Sequence, residues 1–411
     1  MLIWAQAPGP EGREDILVDL AVIFIAAKVA GAVFERLKQP PVIGELLVGV
    51  LIGRHMLGWI GHSETHVILQ EVGAIILLFA VGLDTPLSDL RAVGGRALSV
   101  GVAGIVIPFF AGWLLIDATE GSNTNEALFM GAAMVATSVG VTARVLADLG
   151  RVRDKESRVI LGAAVVDDIL GLLVLALVVG VASDGITAGS LLVLAIEVIG
   201  FVVLVGGLGP GLVKRATPLL DRFGELGVFT IALGLSLALS AAAGAIELAA
   251  IIGAFLAGMA FAETRDRYKL EEHLASVYTL LVPFFFVVTG SLVDLDVLAD
   301  GDTAALGLAV LIVAIAGKLI GCGAAAWGMG RRSAAIVATG MVPRGEVGII
   351  VASIGLAEGI VEPDLYGIVV VMSVLTTLLV PPILTALFRG PKKPPTKPGV
   401  VHTREIEGIG G

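Results

Sequence analysis

Two adjacent aspartates, Asp167 and Asp168, lie in the middle of an apolar run from Val159 to Val179 that is long enough to cross a bilayer. An ionisable side chain at the centre of a membrane helix costs roughly 2.5–3.5 kcal/mol on insertion scales. The chain must therefore fold so that both carboxylates are shielded from lipid by other helices. The usual reason for keeping such groups in a membrane is the handling of ions or protons.

The composition places the chain among polytopic membrane proteins. It has 411 residues, of which 56% are hydrophobic and 16% are charged, with a mean hydropathy of +0.97. Soluble domains are nearer 45–50% apolar and about 25% charged. No basic patch with interleaved aromatic residues supports nucleic-acid binding, and no hydrolase or transferase motif is present, so we predict neither a nucleic-acid partner nor an enzyme. The single cysteine, Cys322, excludes an intrachain disulfide.

Hydropathy predicts an all-α protein with about thirteen transmembrane helices. The predicted spans are 15–35, 41–59, 66–84, 95–116, 125–148, 158–182, 189–212, 226–244, 247–263, 277–293, 304–329, 333–357 and 364–388. The membrane domain then covers residues 15–388, between an N-terminal tail (1–14) and a disordered, Pro- and Lys-rich C-terminal tail (389–411). The first residues lack the basic and apolar regions of a cleaved signal, so we predict a short tail there.

Positive charges occur in alternate loops. The basic set comprises Arg36, Lys38, Arg91, Arg96, Arg151, Arg153, Lys155, Arg158, Lys214, Arg215, Arg222, Arg265, Arg267, Lys269, Arg331, Arg332 and the tail from Arg389. The loops between them are nearly free of Lys and Arg, and Arg54 is the main exception. The positive-inside rule therefore predicts an extracytoplasmic N-terminus and a cytoplasmic C-terminus.

Two predicted spans contain residues that interrupt a helix at mid-depth. Span 5 has the polar and glycine-rich stretch Met134–Arg144, and span 12 has Thr339–Gly348 with a proline and two charges. Each is the fourth span of a five-span block, spans 2–6 and 9–13, which is the arrangement of an inverted repeat. Interrupted helices at matching positions of two halves indicate the binding site of a transporter.

The aspartate pair has a candidate partner in Lys318, the only charge in the middle of span 11. Adjacent helical residues point about 100° apart, so one aspartate can take a partner while the other faces a cavity. A carboxylate there can hold a proton or a small cation, but not both easily, and this competition is the physical basis of exchange. The alternative is an Asp–Lys pair that only locks two helices together, which leaves the second aspartate unexplained.

The interruptions supply further groups that suit cations. Unwound backbone frees carbonyl oxygens, and opposed half-helices present dipole ends of both signs. Hydroxyl oxygens are available at Thr137, Ser138 and Thr142, and the charges that could balance the dipole ends or lie at the interface are Arg144, Arg344 and Glu346. Glu45 and Glu71 are expected at span ends near the interface, Glu247 is expected at the outer mouth, and Glu197 has no obvious partner.

Several motifs, in order along the chain, resemble those of NapA-type bacterial sodium/proton antiporters of the second monovalent cation:proton antiporter family. They are Gln39–Gly53 (QPPVIGELLVGVLIG), Leu77–Asp84 (LLFAVGLD), Ala136–Leu146 (ATSVGVTARVL), Arg158–Leu172 (RVILGAAVVDDILGL), Gly253–Met259 (GAFLAGM), Gly317–Gly321 (GKLIG) and Pro343–Gly348 (PRGEVG). Together they are specific and cover nearly the whole membrane domain. One departure is Glu247, where an uncharged residue is expected.

The resemblance implies a fold, a mechanism and residue roles. It implies a thirteen-helix homodimer in which a core domain, with spans 5, 6, 11 and 12, moves like an elevator against a dimer domain that includes spans 2 and 9. Asp168 matches the aspartate that binds the ion and the proton, and Asp167 matches the aspartate that pairs with Lys318. Thr137, beside Ser138, matches the hydroxyl residue of the first crossover that binds Na⁺ with Asp168, and Glu346, next to Arg344, matches the charge of the second.

The function expected from these residues is proton-driven, electrogenic export of Na⁺, and also of Li⁺, across a bacterial plasma (inner) membrane, without a cofactor. The double aspartate and the lysine favour more than one proton per cation. The main alternative is K⁺/H⁺ exchange on the same fold. Potassium exporters usually carry a nucleotide-binding domain, and no Gly-rich phosphate-binding motif indicates one in this sequence. A sodium-coupled organic-anion symporter, a channel and a sensor explain the acidic pair less well.

Overall fold

The computed structural model describes residues 10–60, 63–120, 124–183, 188–246, 248–294, 297, 299–344, 348–349, 351–352, 355–356 and 360–389. In this part of the chain the secondary structure is helical and contains no strand. The helices are α1 (Pro10–Arg36), α2 (Pro41–Ile52), α3 (Glu64–Leu83), α4 (Leu87–Glu120), α5 (Thr124–Val135), α6 (Val139–Asp148), α7 (Lys155–Ser183), α8 (Ala188–Leu220), α9 (Gly224–Gly244), α10 (Ala250–Phe261), α11 (Leu270–Ser291), α12 (Gly301–Ala326), α13 (Arg331–Gly340) and α14 (Pro363–Phe388).

The prediction of an all-α polytopic membrane protein is confirmed. Within the described residues, nine helical segments are long and apolar enough to cross a membrane, and α2 and α10 are shorter apolar helices. Spans 5 and 12 are interrupted, the first between α5 and α6 and the second after α13. The count of thirteen remains a prediction, because the second half of span 12 is only partly described.

Several boundaries differ from those that hydropathy predicts. The helix of span 2 ends at Ile52 instead of residue 59, because the chain folds back there and the backbone N–H of Trp59 donates to Ile52 O at 3.1 Å. Conversely, α1 begins at Pro10 and α11 at Leu270, five and seven residues before their predicted spans. Hydropathy detects the apolar part of a helix and misses polar turns that extend beyond it.

The helices form two groups. In the core bundle, α4 packs on α5, α7 and α12, and α13 and α14 pack on α12. In the scaffold bundle, α2 packs on α1 and α11, and α10 packs on α3 and α9. Helix α8 contacts both α7 and α10, and α6 contacts α2, α3, α7 and α14. Helices α6 and α7 therefore lie where the two bundles meet.

Close glycine contacts in the scaffold bundle follow the inverted repeat. The repeat exchanges α2 with α10 and α3 with α11, so the α2–α11 pair should correspond to the α10–α3 pair. Both pairs cross through reciprocal glycines, Gly49 with Gly290 and Gly82 with Gly258. A Cβ on any of the four would lie 2.2 Å from a carbonyl oxygen of the partner helix. Small residues allow two membrane helices to approach this closely.

Candidate ion-binding site

The two interruptions cross each other and are hydrogen-bonded together. Helix α5 ends at Val135, and the chain is extended at Ser138 before α6 begins. The backbone N–H of Ser138 donates to Pro343 O at 2.8 Å, in the non-helical segment after α13. The Thr142 hydroxyl donates to Gly340 O, at the end of α13, at 2.7 Å. The crossing is therefore held by hydrogen bonds between the two breaks.

Arg344 occupies the centre of this crossing. Its side chain is fully buried, and its guanidinium donates to Ala136 O and to Ala314 O, each at 2.9 Å. A longer contact of 3.4 Å reaches Val135 O, at the carboxyl end of α5. A cation at a helix C-terminus offsets the negative end of the helix dipole. Arg344 thus has the position that dipole compensation requires, and it already engages the carbonyls that the break exposes.

Asp167 forms a buried ion pair with Lys318. The Lys318 Nζ lies 2.9 Å from Asp167 Oδ1, and both side chains are 0% exposed. The second oxygen, Asp167 Oδ2, has no hydrogen-bond partner among the described residues. Helix α4 makes room for the lysine, because a Cβ on Gly104 would lie 3.4 Å from Lys318 Nζ and 2.8 Å from Cys322 Sγ.

Asp168 faces a different environment, where the core and scaffold bundles meet. It lines a crevice with Val139 of α6, Leu78 of α3, and Ile251 and Phe255 of α10. The volume of the crevice that is open to water is about 10 Å³, which is close to what one water molecule needs. Asp168 therefore lies at the boundary between the two bundles, whereas Asp167, the preceding residue of α7, is enclosed within the core bundle.

The hydroxyl residues of the first crossover are buried and directly precede Val139, which lines the Asp168 crevice. Thr137 is 2% exposed, and its Oγ1 has no hydrogen-bond partner in the described structure. Ser138 is fully buried. An unpaired buried oxygen is unusual in proteins and is available to a ligand. Glu346 and Glu247, two other residues that we singled out from the sequence, lie outside the described residues.

Sequence reasoning missed a polar group on α14 that supports the second break. The backbone N–H of Arg344 donates to Thr376 Oγ1 at 3.2 Å. The hydroxyls of Thr376 and Thr377 donate to Ser373 O at 2.9 and 2.8 Å, and all three side chains are fully buried. The available signal was the spacing of these three hydroxyl residues on one face of an otherwise apolar span.

Two acidic residues expected near the interface have different surroundings. Glu45 is 3% exposed and lies inside the bundle near Arg144, which is itself buried. Glu71 is exposed on α3. Glu197 is exposed on α8, among exposed apolar side chains such as Ile196 and Ile199. Glu45 therefore lies in the first turns of α2, at a span end, but its side chain is enclosed by α6 and α11, which are distant in sequence.

An all-helical membrane protein whose two interrupted helices cross beside buried carboxylates defines a secondary transporter of ions. The chain belongs to the sodium/hydrogen exchanger family, since residues 23–390 match the family described as "Sodium/hydrogen exchanger, transmembrane". Members of this family are transporters and not enzymes, as the sequence predicted.

Individual relatives agree with this family. The chain is 35% identical to the high-affinity Na⁺/H⁺ antiporter NhaS3 of Synechocystis, over 93% of this chain and 92% of that protein. It is 35% identical to the Na⁺/H⁺-K⁺ antiporter GerN of Bacillus cereus, over 91% and 96%. The fold is similar to that of the sodium proton antiporter MjNhaP1 of Methanocaldococcus jannaschii, with a TM-score of 0.66, 18% identity and coverage of 92% and 97%.

Proposed function

We propose that this protein is an electrogenic antiporter that uses the inward proton gradient to export Na⁺, and also Li⁺, across the plasma membrane of a bacterium. The observation that carries the proposal is the position of Asp168, in a crevice between two helix bundles and next to the buried Asp167–Lys318 pair. Relatives that are named Na⁺/H⁺ antiporters cover more than 90% of the chain, which supports this choice of ions.

Asp168 is the residue that binds either the cation or the proton. Deprotonated Asp168 takes the cation from the cytoplasm, and the Thr137 hydroxyl, which has no other hydrogen-bond partner in the described structure, supplies a second oxygen. Ser138 completes this segment of the site. The carbonyls of Val135 and Ala136 are engaged by Arg344, so we assign them to holding the guanidinium and not to the cation.

The Asp167–Lys318 pair accounts for the electrogenic exchange. If each cation displaces one proton from Asp168 and a second from the Asp167–Lys318 pair, two positive charges enter for each one that leaves. The pair separates or re-forms as the cation binds and leaves. Arg344 stays charged throughout and, with Glu346, balances the dipole ends at the crossing.

We further propose that the core bundle moves like an elevator against the scaffold bundle. The crevice at Asp168 is lined by residues from both bundles, so a displacement of α7 relative to α3 and α10 changes which side of the membrane it opens to. The scaffold bundle, which includes α2 and α10, forms the contact of a homodimer. The N-terminus lies outside, and the tail after Phe388 lies in the cytoplasm.

A second cation, K⁺, is favoured by a specific observation. GerN, at 35% identity, is named a Na⁺/H⁺-K⁺ antiporter, and the ammonium/H⁺ antiporter subunit AmhT of Alkalihalophilus pseudofirmus is 28% identical. Relatives of this chain thus differ in the monovalent cation that they carry. K⁺/H⁺ exchange is therefore our alternative within the same mechanism.

Proteoliposomes that contain a pH-sensitive dye test the proposed function. Addition of Na⁺, Li⁺ or K⁺ to the wild type should change the internal pH, and a clamp on the membrane potential should change the rate. Asp168→Asn should abolish the signal, since an amide cannot exchange a proton. Asp117→Asn, an exposed aspartate at the end of α4, is the matched control and should transport normally.

Two results would contradict this proposal. Wild-type rates from Asp168→Asn would exclude Asp168 as the binding residue. The absence of proton movement with all three cations would exclude antiport and make a sodium-coupled symporter the first alternative.

A further inference from the structure

A second group of charged side chains lies between the bundles, away from the Asp168 crevice. Glu45 of α2 faces Arg144 and Asp148 of α6, and the ring of Tyr278 of α11 lies beneath the guanidinium. The Arg144 Nε lies 3.0 Å from Asp148 Oδ1, and the guanidinium carbon lies 5.0 Å from the centre of the Tyr278 ring. Arg144 is thus tightly held by its own helix and by a scaffold aromatic ring.

Glu45 is poorly satisfied in this arrangement. It is 3% exposed, and its Oε1 lies 3.9 Å from the nearest Arg144 nitrogen, which is too far for a hydrogen bond. Its Oε2 is buried with no hydrogen-bond partner among the described residues. A buried carboxylate stays ionised only while a positive charge is close, and otherwise it binds a proton.

The side chains around Glu45 come from three packed elements. Arg144 and Asp148 act on it from α6, and Lys28 and Glu35 act on it from α1. Tyr278 contributes an aromatic ring from α11. Lys28 is only partly buried, and Glu35 is exposed, so solvent screens both. Arg144 is therefore the buried cation whose charge favours the ionised form of Glu45.

The ion pair joins parts that move relative to each other in the proposed mechanism. Glu45 and Tyr278 belong to the scaffold bundle, whereas Arg144 lies on α6 beside the core. A second pair links the bundles in the same way, because Arg153 of the α6–α7 loop lies 3.1 Å from Asp84 at the end of α3. Displacement of the core would separate both pairs and leave Glu45 buried without its cation.

We infer that Glu45 is a second proton-binding site, which takes up a proton when the core carries Arg144 away from it and releases that proton when Arg144 returns. The step is a simple protonation of a carboxylate, and the predicted topology places it at the cytoplasmic end of α2. The assignment of Glu45 as a proton-binding site rests on the proposed elevator mechanism. The displaced state then binds one more proton than the observed state, so acidification of the cytoplasm favours displacement.

The pH dependence of transport tests this inference. In oriented proteoliposomes, the steepest slope of log rate against cytoplasmic-side pH should decrease by about one in Glu45→Gln, because one linked proton is removed. Glu35→Gln removes an exposed carboxylate of α1 and should leave the slope unchanged.

A chemical measurement on the wild type covers the case in which Glu45→Gln fails to fold. Dicyclohexylcarbodiimide reacts with protonated carboxyls in apolar surroundings, and mass spectrometry locates the adduct. During turnover at pH 7.5 the peptide with Glu45 should be labelled at least tenfold faster than the peptide with Glu35. Equal or slower labelling would overturn the inference, as would a wild-type slope in folded Glu45→Gln. Failure of the wild type to exchange cations for protons would instead contradict the proposed function.

Discussion

At the scale of residues, the site depends on neighbouring side chains that face different environments. Asp167 is enclosed with Lys318 at 2.9 Å, whereas Asp168, the next residue, lines a crevice between bundles. The two arginines that are buried in the described part of the chain also differ. Arg344 is bound by backbone carbonyls, and Arg144 is bound by Asp148. In the proposed mechanism, the groups that exchange protons are Asp168 in the crevice, the Asp167–Lys318 pair and Glu45.

Removal of Lys318 should reduce both stability and electrogenic transport. Lys318→Ala leaves Asp167 as a buried carboxylate without its cation, a change that typically costs about 3–5 kcal/mol. Adding Asp167→Asn removes the unpaired charge, so the double variant should recover most of the free energy of unfolding. Thermal unfolding in detergent measures the stability, and transport with a clamped potential measures the electrogenicity. A double variant that is no more stable than Lys318→Ala would contradict the importance of this pair.

At the scale of elements, close contacts between helices determine at which positions a side chain larger than glycine is tolerated. Helices α2 and α11 meet at Gly49 and Gly290, and helices α3 and α10 meet at Gly82 and Gly258, with no room for a side chain. Hydroxyl residues of α14 hold the break after α13. Interrupted helices expose polar backbone, which is stable in a membrane only where protein surrounds it. Thr376 of α14 provides such protein surroundings for the second break, because its hydroxyl accepts from the backbone N–H of Arg344.

A matched pair of glycine substitutions tests the α2–α11 contact. Gly49→Ala places a Cβ 2.2 Å from Val287 O, and such overpacking should lower the free energy of unfolding by about 1–3 kcal/mol. Gly207→Ala, in α8, has nothing within 4 Å of its Cβ and should be neutral or stabilising by up to about 1 kcal/mol. Thermal unfolding compares the two. Equal effects on the free energy of unfolding would contradict the close contact between α2 and α11 at Gly49.

The junction of α8 and α9 should respond to acid. Arg267 donates to Asp221 through Nη2 at 2.7 Å, and this hydrogen bond, with one from Tyr268, lowers the pKa of Asp221 below its ordinary value. A lowered pKa means that the contact stabilises the folded junction above the ordinary pKa of aspartate and is lost as pH falls through the lowered value. Hydrogen exchange of residues 217–225 should therefore increase on acidification in the wild type, after correction for the intrinsic rate. Asp221→Asn should remove that dependence, and an unchanged profile in this variant would contradict the assignment.

At the scale of the whole molecule, two bundles meet at α6 and α7, and every group that we assign to ion or proton binding lies in or near that boundary. The crevice at Asp168 includes residues of α3, α6, α7 and α10. The described ion pairs between the bundles, at Glu45 and at Asp84, involve α6 and the loop that follows it. The relative movement of the bundles that we propose would change all of these surroundings together, and would thereby couple cation binding, proton binding and displacement.

A crosslink between the bundles should stop transport. Arg153 and Asp84 lie on opposite bundles and are partly exposed, so the pair Asp84→Cys and Arg153→Cys can be joined by a short bifunctional reagent, while native Cys322 is buried. The crosslinked protein should lose activity, and a cleavable reagent should allow its recovery. The control pair Asp221→Cys and Arg267→Cys connects parts that are not separated by the boundary between the bundles. Full activity of the Asp84–Arg153 crosslinked protein would contradict an elevator movement.

Local sequence was sufficient to predict the membrane class, the helical architecture, the interruption of spans 5 and 12, and that one of two adjacent aspartates can take a partner while the other faces a cavity. Each of these depends on hydropathy, helix periodicity or helix-breaking residues within a single segment. Lys318 was also recognisable as a partner, because a lone lysine in an apolar span needs a carboxylate.

Other features came only from packing between distant segments. The burial of Glu45 beside Arg144, the support of Arg344 by Thr376, and the room that Gly104 leaves for Lys318 each join helices that are far apart in the chain. A helix of a given hydropathy can face lipid or another helix with equal ease, since both environments are apolar. Which side chains face inward, and which charges meet there, is therefore decided by the tertiary contacts of the folded bundles.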